Sequence, residues 1–114
     1  MGSVRASGPA GVGRSDPMAY DPPGYNPVFA TWEIDALQNR AEVVVDAPSD
    51  TALENPTFVV HGYVASSGTA PELRLDGARL VADRDYFASV RADTHELWIT
   101  LNGKLRGAGH RLAL

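Results

Sequence analysis

The sequence contains no cysteine in its 114 residues, so no disulfide framework can be invoked and redox chemistry gives no compartment. No apolar run approaches the ~20 residues of a spanning helix, which excludes a helical membrane span. There is no surplus of basic charge. Ten Lys and Arg are interspersed with fourteen Asp and Glu for a net charge of -4, without the basic stripe that binds a phosphate backbone, and nucleic acid is not an expected partner. Helical periodicity is almost missing, since Ala36-Leu37-Gln38-Asn39 could make one turn at most. Reactive motifs are missing too: Gly-x-Ser-x-Gly does not occur, and Gly11-Val12-Gly13 has neither the third glycine of a dinucleotide loop nor a strand before it. Pro56 between Asn55 and Thr57 rules out a glycosylation sequon. Met1-Gly2-Ser3-Val4-Arg5 lacks the apolar stretch of a secretory signal, so an exported form is expected to derive from a longer precursor.

What is present is β-patterning. Hydrophobic content of 44% with 21% charge fits a soluble globular domain, and the length suits one domain with a core of its own. Residues 1–26 stand apart, with Gly2, Gly8, Gly11, Gly13 and Gly24 interspersed with Pro9, Pro17, Pro22 and Pro23. Such a segment buries too little surface to offset its ordering entropy, so it is expected to be a flexible tail, a linker or an arm ordered by another chain. Residues 27–114 read as strands. Val28, Ala30, Trp32 and Ile34 alternate with Phe29, Thr31, Glu33 and Asp35, Ala41, Val43 and Val45 form a second inward set, and Phe58, Val60 and Val64 a third. Asp46-Ala47-Pro48-Ser49-Asp50 has a loop's composition. Leu73 and Leu75 approach Asp76-Gly77, a favoured two-residue turn, and Leu80 and Val81 leave it. Tyr86 to Val90 and Glu96 to Asn102 pair around Ala92-Asp93-Thr94, and His110 to Leu114 closes the domain. The expected fold is all-β, an antiparallel immunoglobulin-like β-sandwich of seven to eight short strands with a Gly/Pro-rich N-terminal extension.

The chemical candidates are weighed against plainer roles. Glu33 and Asp35 share a strand face near the separation of a glycosidase pair, but alternating acids are usual on a solvated face. Asp83, Asp85 and Asp93 lack the rest of a calcium loop, and turn formation with pairing to Arg84 or Arg91 is expected of them. His61, His95 and His110 are scattered without metal-ligand spacing, and Ser66-Ser67-Gly68 lacks a nucleophile's context. No catalytic residue, metal site or cofactor is expected. The outward aromatics carry more. If Phe58, Val60, Leu97 and Ile99 face the core, then His61, Tyr63, Trp98 and Thr100 face away, and an aromatic platform edged by polar groups suits the apolar face of a sugar ring. The plainer role is cross-strand packing, or packing on an adjoining domain.

The runs Asn55-Pro56-Thr57-Phe58-Val59-Val60-His61-Gly62-Tyr63, Leu73-Arg74-Leu75-Asp76-Gly77-Ala78-Arg79-Leu80, Asp85-Tyr86-Phe87 and Glu96-Leu97-Trp98-Ile99-Thr100-Leu101 together resemble the carboxy-terminal β-sandwich modules appended to bacterial polysaccharide-degrading enzymes. The resemblance implies an accessory, non-catalytic domain that contacts polysaccharide or an adjoining catalytic domain, extracellular or at the cell surface. It transfers no catalytic residue. The alternative is a structural subunit of an assembly such as a virion or filament. Its N-terminal arm and a sheet edge would contact identical or different neighbours, with the strand His110 to Leu114 pairing across the boundary.

Overall fold

The computed structural model describes residues 3–6, 25–26, 29–36, 39–47, 52–64 and 72–114. Among these there is no helix, and the chain runs through twelve short strands: β1 (Ser3–Ala6), β2 (Tyr25–Asn26), β3 (Thr31–Asp35), β4 (Glu42–Asp46), β5 (Leu53–Glu54), β6 (Thr57–His61), β7 (Arg74–Leu75), β8 (Ala78–Arg79), β9 (Tyr86–Arg91), β10 (Glu96–Leu101), β11 (Lys104–Leu105) and β12 (His110–Ala113). The number exceeds the seven or eight expected, and five of the strands are only two residues long. Two five-stranded sheets result, ordered β1-β4-β12-β7-β8 and β2-β3-β6-β10-β9, with β5 and β11 as a separate ribbon. The all-β class is as expected, but one pairing departs from the antiparallel plan. β3 and β6 are parallel, because the chain between them passes through β4 in the other sheet and re-enters beside β3 in the same direction.

Strand alternation builds the core. Trp32, Ile34, Phe58, Val60, Leu97, Ile99 and Leu101 from one sheet meet Val43, Val45 and Leu112 from the other, each no more than 4% exposed. Each fully buried large apolar side chain contributes about 1.5–3 kcal/mol, against about 0–1 for an exposed ion pair. The shared core therefore holds the two layers together. Leu73 is buried with it, while Leu75 is only partly covered. At the Asp76-Gly77 turn both residues have positive φ, 52° and 83°, as a type I′ hairpin requires.

Three facing assignments are corrected, two inward and one outward. Ala30 is exposed in a turn at φ 55°, so β3 begins at Thr31. Val64 is 56% exposed, and Tyr63, expected to face outward, is 7% exposed within the core cluster. The cause is Gly62: its φ of 77° ends β6 at His61, and the alternation restarts one residue out of phase. The last strand is also not at an edge, because β12 has β4 on one side and β7 on the other. It has no free side with which to cross a subunit boundary.

Two pieces of the Gly/Pro-rich segment pair within this chain. β1 runs against β4 from Ser3 opposite Asp46 to Ala6 opposite Val43, and β2 lies against the start of β3. Residues 7–24, including Gly11-Val12-Gly13, lie outside the described residues. So do Val28, Leu37, Gln38, residues 48–50 of the predicted loop, and Ser66-Ser67-Gly68.

Candidate functional site

The registers of β3, β6, β10 and β9 place their non-core residues in three rows across one face. The first row is Asp35, His61, Glu96 and Arg91, the second Glu33, Val59, Trp98 and Ser89, the third Thr31, Thr57, Thr100 and Phe87. Three of the four expected site residues, His61, Trp98 and Thr100, therefore share this face. Tyr63 does not belong to it.

The Trp98 ring is half-buried and already has company. The Arg91 guanidinium lies 4.5 Å from the ring centroid, a cation–π distance, and Phe29 meets the ring edge-on with centroids 6.3 Å apart. Its indole N–H donates to Glu96 Oε1 at 3.4 Å, and that oxygen also accepts from the Thr94 hydroxyl at 2.9 Å. Val59, the cross-strand neighbour of Trp98, is fully buried, so the face is closed at its centre. It opens toward β9, where Phe87 and Arg91 are exposed.

His61 sits between carboxylates. Its Nε2 is 3.0 Å from Glu33 Oε1 and its Nδ1 3.5 Å from Glu96 Oε2, while Thr31 donates to the other Glu33 oxygen at 2.7 Å. The hydrogen bond to Glu33 raises the His61 pKa above its ordinary value, against the opposing effect of burial, with the charges of Glu33, Glu96 and Asp35 adding to the rise. Burial pushes Glu33 up, but the bonds from His61 and Thr31 outweigh it and hold the carboxyl below its usual range. Both shifts favour the charged forms, so protonation of His61 turns this contact into an ion pair. Both Glu33 carboxylate oxygens are thus taken up by neighbours, Oε1 by His61 and Oε2 by Thr31. Thr100 shares a hydroxyl–hydroxyl bond of 3.0 Å with Thr57 directly across the strand.

Two of the remaining candidates, Asp85 and His110, make local contacts. Asp85 accepts from the Val81 N–H at 2.7 Å and pairs with Arg84, as its turn role predicts. His110 contacts Asp76 through Nδ1 at 2.8 Å and the Arg106 carbonyl through Nε2, while the second Asp76 oxygen accepts the Arg111 N–H at 2.9 Å. This clamps the β7–β8 turn to β12. Among the described residues no group of three or more His, Asp or Glu could hold a metal, and no helix is long and apolar enough to cross a membrane.

Arg91 and Glu96 were not anticipated as site residues. Glu96 was legible from its place two before Trp98, whereas Arg91 required the hairpin register. Four residues, Ala92 to His95, separate β9 from β10, with His95 at φ 54°, and this sets Arg91 opposite Glu96. No protein-family model matches the chain, and no curated protein or solved structure does.

Proposed function

We propose that this chain is a non-catalytic, immunoglobulin-like β-sandwich module of a polysaccharide-processing protein, and that it contacts glycan through the open side of the Trp98 face. The observation that supports this reading is the setting of the ring: a half-buried indole bordered by the Glu96 carboxylate and the guanidinium of an exposed Arg91. An indole face suits the C–H face of a pyranose, and acid and guanidinium groups beside it suit its hydroxyls. Arg91 would leave the ring to a sugar and turn its N–H groups to the sugar's oxygens, a movement that an exposed side chain allows. His61 and Thr100 position the site, His61 by fixing Glu96 and Thr100 by tying β10 to β6.

Affinity electrophoresis in gels containing xylan, mannan or alginate tests this. Wild-type chain should be retarded by at least one, and Trp98→Ala should lose the retardation while its melt stays cooperative. Retardation undiminished in the mutant, or none with any glycan, overturns the reading. The second outcome favours Trp98 as a packing face for an adjoining domain, which the contacts with Phe29 and Arg91 also fit.

A further inference from the structure

Among the described residues, the sheet β2-β3-β6-β10-β9 ends on a strand unlike the other sheet edges. β2 and β8 are two residues long and β1 four, whereas β9 runs for six. Phe87 to Arg91 are all exposed, with Phe87 at 49% and Val90 at 41%. Folded proteins blunt long edges with proline, lysine, bulges or a covering segment. β9 has no proline or lysine, its register with β10 runs unbroken from Tyr86 to Arg91, and its one charged side chain lies over Trp98.

The free backbone groups follow from that register. Asn102 N–H donates to the Asp85 carbonyl at 2.9 Å, so the hydrogen-bonded pairs with β10 fall on every second residue from there, at Phe87, Ser89 and Arg91. The N–H and C=O groups of Ala88 and Val90 point the other way, toward the open edge. Tyr86 points there too, but its carbonyl accepts the Asp83 N–H at 2.8 Å and Ala82 is bridged beside it. The edge is thus closed before Phe87 and ends after Arg91.

We propose that this edge is the seam of a homodimer, in which β9 of a second copy pairs with it antiparallel about a two-fold axis at Ser89. Ala88 then lies opposite the partner's Val90 and Val90 opposite the partner's Ala88, and four backbone hydrogen bonds use every group that points to the open edge from these two residues. Phe87 lies on the same face as the partner's Arg91, an aromatic–cation pair on each side of the axis. The neighbouring registers fail. Sliding by two residues one way brings the partner's Val90 against Tyr86, where Ala82 already sits, and sliding the other way runs Ala88 past the end of the partner's strand. A slip of one residue would set core-side residues against outward ones. The product is one continuous sheet through both copies, and it does not depend on the glycan reading.

The absence of cysteine makes the seam directly testable. Ser89→Cys puts one thiol on the axis at a non-hydrogen-bonded position, where paired Cα atoms lie about 4.5 Å apart, within disulfide reach. Under mild oxidation it should form a covalent dimer about tenfold or more faster than Asp93→Cys, because pairing raises the local thiol concentration. Asp93 lies in the exposed turn beyond β9. Val90→Pro removes an edge N–H without touching the β10 ladder, and should abolish both the fast cross-link and the association seen by sedimentation equilibrium between about 10 μM and about 1 mM, the range suited to a small interface. If that variant fails to fold, Val90→Lys sets a charge on the seam with the backbone intact and should do the same. A wild-type chain that stays monomeric throughout, or equal cross-linking at Ser89→Cys and Asp93→Cys, overturns the proposal. An added extended peptide docking on the monomer's edge would be a different occupant and also overturns it.

Discussion

His61 is the residue whose protonation is most entangled with the face it sits on. Glu33 and Asp35 on β3 and Glu96 on β10 all surround it, and the imidazolium gains partners that the neutral ring does not. Its pKa is raised, so its contribution to stability is fully present below the ordinary 6.5 and is lost as pH rises through the raised folded value. Glu33 is lowered, so its contribution is present above the ordinary 4.5 and is lost as pH falls through the lowered value. Between those limits the pair is intact. Since the His61 side chain is 36% exposed, solvent screening limits the effect to under about 1 kcal/mol. The wild-type melting temperature should fall more steeply from about pH 6 to about pH 9 than that of His61→Gln. His110 is raised as well, by the Arg106 carbonyl and then by Asp76, so some decline should persist in the variant. Equal slopes in the two proteins would show that the Glu33–His61 pair contributes nothing.

Among the elements, the β7–β8 hairpin has the tightest coupling of sequence to geometry. Gly77 sits at φ 83° with nothing within 4 Å of where a Cβ would point, so Gly77→Ala meets backbone strain and no clash. A single left-handed alanine costs about 1–2 kcal/mol, and the urea midpoint should fall accordingly with an unchanged m-value. A midpoint that does not move would mean that the turn has another geometry. The hairpin was readable because Asp-Gly demands that turn, and β10 because Leu97, Ile99 and Leu101 keep strict alternation against a single buried layer. Tyr63 departs from the expected side because a period of two has no memory across a left-handed glycine: Gly62 reverses the orientation of Tyr63 and Val64, the residues that follow it directly. The parallel β3–β6 pairing left no local mark at all, since it depends on which sheet the intervening chain visits. The site was legible to the same degree. Trp98, His61 and Thr100 fall on one face by alternation alone, whereas the guanidinium over the ring comes from a hairpin register that composition does not specify.

At the scale of the whole molecule, the fold is two layers whose edges have unequal protection. β4 carries three consecutive buried valines, Val43, Val44 and Val45, and is shielded on one side by β12 and on the other by β1. β1 pairs along its backbone with β4, the strand whose Val43 and Val45 are buried in the shared core. Removing Met1 to Ala6 should leave a cooperative melt and a β-type circular dichroism spectrum, at a lower midpoint. It should also uncover the edge of a valine-rich strand, the kind that recruits other chains. Made in a Val90→Pro background, where the β9 seam is blocked, the truncated chain should associate more than its full-length counterpart in sedimentation experiments. Loss of the cooperative transition on truncation would instead place β1 among the elements that the core cannot form without. Unchanged association would mean that the exposed edge of β4 is covered by another part of the chain.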